Sequence, residues 1–504
     1  MAAPLTKNSE ATPSPSAPPT GGATFLGHPR GLATLFMTEM WERFSFIGMR
    51  ALLVLFLVAP ATDGGLGLDA ATGAAIFSVY NAMVYLLALP GGWIADRVWG
   101  ARKAVAFGGC SMVLGHFLLA LPNTATFFGG LVFIALGAGI LKSNISTMVG
   151  QLYPDRTDPR RDSGFTIFYM GINLGGFIAP LAIGTVGQSV DWHLGFALAG
   201  VGMSLGLAQY LLGSRHLSPA SSTVNAPLSA VERTRLLRRG LMWLASAVAF
   251  FGIVALTGSL TVSWVLWPLT LAGLALPVIC FVRIKGDKDL SADEQSKMTG
   301  FIWLFAAAAA FFMIYDQAGS VLNLFAHDST ENTVLGWTFP TSWFQSMNPV
   351  FVMALAPLAA LLWQWLGSRN PSIPAKFAMA LLAIGVSFFV MVAAQAAASG
   401  DERVTPMWLA TVYAIHAVAE LCLSPVGLSA TTKLAPRKYE SQMMGVWCLA
   451  VTAGDCVAAV IQQVMGKATG GGAYFALQAT LAVLAGVGVF VFRRRITSLM
   501  GDVR

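Results

Sequence analysis

Residues 38–57 read TEMWERFSFIGMRALLVLFL, an apolar run that nonetheless carries Glu39, Glu42, Arg43 and Arg50. At about 100° per residue, positions 39, 42, 43, 46 and 50 fall within an arc of roughly 100° on one side of a helix. Set against lipid, each charge near the helix centre costs about 2.5–3.5 kcal/mol on insertion scales, so the set costs on the order of 10 kcal/mol. A single span does not absorb that. The face must line a wet cavity or pair with charges on other helices, and Glu39 to Arg43 is also an acid-before-base pair at (i, i+4). Ion pairs that merely hold helices together are the alternative reading of this cluster.

The rest of the chain shows what such a helix belongs to. Of 504 residues, 56% are hydrophobic and 11% charged, against roughly a quarter charged in a soluble domain. Runs of about 20 apolar residues recur from end to end, each enough to cross a hydrocarbon core of roughly 30 Å as a helix with its backbone satisfied internally. The predicted fold class is an all-α membrane protein. Spans are expected near 31–59, 72–95, 103–121, 125–149, 164–187 and 193–213, then 240–257 and 260–282, then 299–325, 342–367, 376–397, 406–430, 442–465 and 472–492, fourteen in all.

An even number of spans puts both termini on one side. Arg97, Arg102 and Lys103, then Arg156, Arg160 and Arg161, then Arg233, Arg235, Arg238 and Arg239, then Lys433, Arg437 and Lys438 fall in alternate connections, whereas the opposite connections hold only Arg403 and Lys467. Basic residues accumulate in cytoplasmic loops, so both termini are expected in the cytoplasm. The net charge of +7 is then mostly a topology signal, and no nucleic-acid partner is implied. The domain plan is a disordered, Pro- and Ser-rich tail over 1–30, a six-helix bundle over 31–213, linkers with two additional spans over 214–298, a second six-helix bundle over 299–492, and a basic tail over 493–504. Cys110, Cys280, Cys422, Cys448 and Cys456 all lie in apolar runs without metal-type spacing, and are read as packing residues.

The six, two, six arrangement suggests a repeat. LPGGWIADRVWGARKA joins spans 2 and 3, with a weaker echo, LLWQWLGSRNPSIPAK, in the second half. The first stretch resembles the loop signature of the major facilitator superfamily, in which two six-helix halves flank a substrate site near the bilayer midplane. Further ionisable residues lie at depth: Lys142 on span 4, Asp316 on span 7, Glu420 on span 10 and Asp455 on span 11. Charges on several helices of both halves are what a central polar path requires.

The first span resembles the E-x-x-E-R-F-x-Y-Y-G signature of the proton-dependent oligopeptide transporters, the POT family. FYMGINLGG on span 5 matches its F-Y-x-x-I-N-x-G signature, and GILKSNISTMVGQLY, DQAGSVLNLFA, FQSMNPVFVMALAP and AELCLSPVGLS extend the likeness over about residues 27–465. The resemblance implies a proton-coupled symporter that imports di- and tripeptides across the bacterial inner membrane by alternating access. Its partners are short peptides, protons and the lipid bilayer; it works as a monomer and needs no cofactor, being driven by the proton gradient. A short peptide is a zwitterion, so its site needs a cation, an anion and a tolerant pocket between them. By the match, Arg43 and Lys142 attract the carboxylate, Glu420 holds the ammonium, Asn173 and Asn348 bond the peptide backbone, and Tyr85, Ser424 and Trp447 line the pocket. Glu39, Glu42 and Asp316 are the proton-coupling candidates, and Arg50 with Asp316 and Lys142 with Glu420 are pairs that break and re-form as access alternates.

Plainer readings accompany these roles. Tyr169 and Trp447 are equally readable as packing aromatics, Asn173 and Asn348 as helix-to-helix hydrogen bonders, His416 as a satisfied interior group left out of the site, and Asp455 as a buried acid with no named partner. The chain also departs from the family pattern. Phe46 and Ile47 replace paired tyrosines, Asp316 stands where Glu is usual, and Ser143 replaces a Pro whose absence should straighten span 4. A relative that carries another small zwitterion or organic anion, or a non-transporting nutrient sensor, is the competing function. An enzyme is disfavoured because no HExxH, GxSxG or P-loop pattern is present, and no metal site is expected.

Overall fold

Long apolar windows give fourteen long helices among the described residues. The computed structural model describes residues 24–153, 158, 160–224, 227–258, 261–334, 336–398, 402–501 and 503. Most of the expected tail, and Arg156, lie outside the described residues. Among the described residues, twelve helices are apolar and long enough to cross a membrane. They are α2 (Ala70–Trp99), α4 (Thr124–Gln151), α5 (Arg160–Ser189), α6 (Trp192–His216), α7 (Ala230–Val254), α8 (Ser263–Lys285), α9 (Ala292–Asp328), α10 (Thr341–Leu366), α11 (Ile373–Ala397), α12 (Met407–Leu434), α13 (Gln442–Ala468) and α14 (Gly472–Leu499). The charge-bearing α1 (Arg30–Val58) and the shorter α3 (Ala101–Leu119) complete the set.

Caps fix several starts. Asp69 accepts from Thr72 N before α2, Asn123 from Ala125 N before α4, and Asp191 from Leu194 N before α6, each satisfying an otherwise orphaned helix N–H. Ser291 and Glu294 form a reciprocal capping box at the head of α9.

Two apolar cores, one for each six-helix half, account for the packing. In the first half α3 and α4 meet along glycines. A Cβ on Gly108 would lie 2.7 Å from Gly137 O, and one on Gly130 would lie 2.6 Å from Gly115 O. Small residues are what allow two membrane helices to approach backbone to backbone. The intervening pair behaves differently from either half. Most of α7 is exposed, while α8 packs on α13, where Gly273 faces Cys456.

The structure departs from the sequence reading in three places. Residues 24–29 form a small hairpin, with Thr24–Phe25 (β1) pairing His28–Pro29 (β2), and His28 Nδ1 lies 2.8 Å from the Tyr153 hydroxyl. Helix α7 starts at Ala230 and not near 240, because ERTRLLRR is built of good helix formers and needs no lipid to stay helical. Cys110 is exposed, unlike the buried Cys422 and Cys456, since α3 turns its glycine face to its neighbours.

One end of the bundle gathers both ends of the chain, with Gly31 against His216 and the Ser296 hydroxyl donating to Leu499 O. The opposite, remote end is the one toward which the two halves are joined. Arg50 meets Asp316, and Asn323 donates to Ala51 O, between α1 and α9. Ser78 donates to Gln462, Asn81 to Asp455, and Thr452 to Ala82 O, between α2 and α13. Ser342 N donates to Gln188, Trp343 to Thr185 and Ser346 to Phe177 O, between α10 and α5. Among the described residues, the hydrogen bonds between halves all lie from the middle of the bundle to its remote end. Toward the terminal end the contact is apolar, Leu89 of α2 lying against Gly445 of α13.

Candidate functional site

The charged face of α1 is satisfied first by itself. Arg43 Nε lies 2.9 Å from Glu39 Oε1 and 2.8 Å from Glu42 Oε2, with both carboxylates buried. Helical spacing makes this possible, since the three residues share one face. Ionised groups this deep persist only when paired.

Phe46, on the same face and fully buried, does something the sequence reading did not foresee. Its ring lies 5.9 Å from Arg43 Cζ, 5.6 Å from Arg50 Cζ and 4.5 Å from Lys142 Nζ. The negative face of an aromatic ring attracts cations most strongly where water is excluded. Where the family pattern has a hydroxyl, this chain gathers three cations around a bare ring. Lys142 Nζ also lies 4.4 Å from the Tyr85 ring and has no hydrogen-bond acceptor among the described residues. Helix α4 runs unbroken through Ser143, whose hydroxyl donates to Gly139 O at 3.3 Å.

The second half supplies acids. Asp316 opens a 3-10 turn (Asp316–Gly319) that interrupts α9, and its Oδ1 lies 3.4 Å from Arg50 Nη2. The Arg50 guanidinium also stacks 5.0 Å from the Phe77 ring. Glu420 Oε2 accepts from the Tyr315 hydroxyl at 2.6 Å and from Asn348 Nδ2 at 3.2 Å, while Asn348 also donates to Tyr315 at 2.8 Å. No cation pairs with Glu420 among the described residues.

The expected Lys142 to Glu420 pair is therefore not made in this conformation. Lys142 is held between two rings of the first half and Glu420 by a hydroxyl and an amide of the second, and the polar bonds between halves lie toward the other end. Asn173 donates to Tyr169 O on its own helix at 3.0 Å, whereas Asn348 ties α10 to α9 and α12. Ser424 is half-buried. Trp447 is 5% exposed and packs on Phe301, Phe377 and Gly427 at the second core. Ile47 lies against Gly176 of α5. His416 bonds the Ser387 hydroxyl at 3.0 Å and belongs to the interior.

Two participants escaped the sequence reading. Tyr315 orients Glu420, and its only signal was adjacency to Asp316. Asn81 gives Asp455 its partner at 2.7 Å across the halves, and its signal was a lone amide inside an apolar span.

A "Di-/tripeptide transporter" of Lactococcus lactis subsp. cremoris is 39% identical over 490 residues, covering 95% of this chain and 98% of the relative. The Bacillus subtilis protein "Uncharacterized transporter YclF" is 43% identical over 446 residues, covering 88% and 89%. A crystal structure of a peptide transporter POT in complex with sulfate superposes with a TM-score of 0.91 at 41% identity, covering 95% of this chain and 97% of that one. A sequence model described as the POT family matches residues 102–477. The chain belongs to the POT family.

Proposed function

We propose that this protein is a proton-coupled symporter importing di- and tripeptides across a bacterial inner membrane, with both termini cytoplasmic, acting as a monomer by alternating access. One observation carries the reading. Among the described residues, Lys142, whose ammonium is buried without a carboxylate partner, and Glu420, a half-buried carboxylate without a cation, belong to opposite halves. A zwitterion supplies both missing charges at once: its carboxylate meets Lys142 and Arg43, and its ammonium meets Glu420. Its binding draws the halves together, which is how a substrate biases an alternating-access equilibrium.

In this reading the remote end is the periplasmic gate, held shut by Arg50 with Asp316, and the terminal end faces the cytoplasm. Protonation of Glu42 or Glu39 releases Arg43 toward the substrate carboxylate. The name of the Lactococcus relative supports the substrate class, and family membership supports transport over catalysis. A second reading, another small zwitterion or organic anion, is favoured specifically by Phe46 and Ile47, which remove hydroxyls from the site.

The test is uptake of labelled dipeptide into proteoliposomes under an inward pH gradient, competed by tripeptides, single amino acids and organic anions. Gradient-dependent accumulation blocked by tripeptides is expected. Accumulation that ignores the gradient removes the coupling, and competition by amino acids or organic anions alone transfers the protein to the second reading.

A further inference from the structure

Asp455 of α13 is 2% exposed, and no cation pairs with it among the described residues. Its Oδ2 accepts from Asn81 Nδ2 of α2 at 2.7 Å, while Asn81 Oδ1, also buried, has no donor. The charged and titratable groups close enough to act on Asp455 electrostatically are Arg50 of α1, Asp316 of α9, Tyr85 of α2 and Cys456 on its own helix. Of these Arg50 is the only cation, and it is engaged by Asp316. From α8 and the rest of α9, the neighbours at this level are Gly273, Ala309, Phe312 and Met313, which bring no charge.

Around the site, the carboxylates of Glu39, Glu42, Asp316, Glu420 and Asp455 face the cations Arg43, Arg50 and Lys142, five against three. A peptide zwitterion adds one charge of each sign and leaves that difference unchanged. Buried excess charge of this kind is resolved by protons.

We infer that Asp455 is a further proton-carrying group of the transport cycle, protonated while the halves are closed at the remote end. The proton forms an O–H bond on the carboxyl and breaks no other bond. Protonated, the acid is neutral and still accepts from Asn81 Nδ2 across the halves. An ionised carboxylate would instead be a buried charge with no cation of its own, the state that burial disfavours most. Because this pair spans α2 and α13, it forms only when the halves close and parts when they separate, exposing Asp455 to the remote side for loading. The cycle role rests on the proton-coupled reading above; the protonation itself does not.

Two measurements on the full-length protein separate those layers. Infrared spectroscopy of the purified protein is expected to show a protonated-carboxylic-acid carbonyl band that Asp455→Asn lacks and Asn81→Ala shifts in frequency. In proteoliposomes, the pH gradient that just nulls net dipeptide flux reports protons carried per substrate. Asp455→Asn should lower that number by about one while leaving substrate exchange at symmetric pH near wild type. If the band is identical in wild type and Asp455→Asn, Asp455 is ionised and the inference fails. If the band behaves as expected but the wild type ignores the gradient, the symport reading fails and the proton site stands. Should Asp455→Asn not fold, the Asn81→Ala shift decides the same question.

Discussion

The two halves solve the problem of buried charge in opposite ways. On α1 the solution is local: Arg43 pairs with both Glu39 and Glu42 from within a single helix, so the arrangement does not depend on the position of the other half. In the second half Asp316, Glu420 and Asp455 lie on three different elements and lean on Arg50, on Tyr315 with Asn348, and on Asn81. Two of those three arrangements reach across to the first half. A local ion pair does not depend on where the other half lies, whereas a cross-half contact is a property of one state, and only the second kind reports conformation.

The largest effect comes from breaking the local solution. Arg43→Met leaves two buried carboxylates facing each other, and removing one partner of a buried pair costs about 3–5 kcal/mol. A marked fall in the denaturation midpoint of the purified protein and loss of uptake are expected. Adding Glu39→Gln and Glu42→Gln should restore the midpoint, since replacing every member is far less costly than removing one, but should not restore transport. If the triple variant transports, Arg43 has no substrate role.

Next is Glu420→Gln, which keeps an acceptor for Tyr315 but loses the anion. Hydrogen bonds to charged groups contribute about 1.5–3 kcal/mol, so affinity for peptides with a free amino terminus should fall about ten- to a hundredfold. Peptides acetylated at that terminus should bind wild type and variant alike. Equal loss for both would place Glu420 in the scaffold and not at the ammonium.

A third change sharpens the contrast. Phe46→Leu removes the ring shared by Arg43, Arg50 and Lys142, with a stability loss of about 1–3 kcal/mol expected from lost packing and cation–π attraction. Phe46→Tyr keeps the ring, and its midpoint should stay closer to wild type than that of Phe46→Leu. Thermal denaturation of the three proteins in one detergent checks the order.

Which parts of this could be read beforehand follows from the physics of the bilayer. Glu39, Glu42, Arg43, Lys142 and Glu420 stood out because charge in an apolar run is expensive and hence conspicuous. The helices stood out for the related reason that long apolar runs leave the backbone no alternative. What stayed hidden depended on partners distant in sequence or on residues that look at home in lipid. Tyr315 is an aromatic in an aromatic-rich helix, and Asn81 and Asp455 meet only after both halves have assembled. Phe46 was read for the hydroxyl it lacks, whereas its role lies in the ring it keeps.

The smallest effect concerns charges that lie in water and not in the bundle. Beyond the end of α8, Asp287 lies 2.7 Å from Lys438 Nζ and accepts from the Tyr439 hydroxyl at 2.7 Å, while Lys438 also reaches Asp289 at 2.7 Å. This clasp ties the linker pair to the segment before α13. The Lys438 and Tyr439 hydrogen bonds hold the Asp287 carboxyl below the usual carboxylate range, and Asp287 with Asp289 holds the Lys438 ammonium above the usual lysine range. The depressed acid contributes stability at any pH above its unfolded value of about 3.9, lost as pH falls through the lower folded value. The raised ammonium contributes below its unfolded value of about 10.4, lost as pH rises through the higher folded one. Any gradient used to drive transport lies inside that window, so Asp287→Asn should shift the denaturation midpoint by the same small amount from about pH 5 to pH 9. High salt should shrink the shift, because Lys438 is half-exposed and screened. A midpoint difference that instead grows or vanishes across pH 5–7 would make this loop part of the proton response and undo the distinction between the dry charges of the bundle and the wet ones outside it.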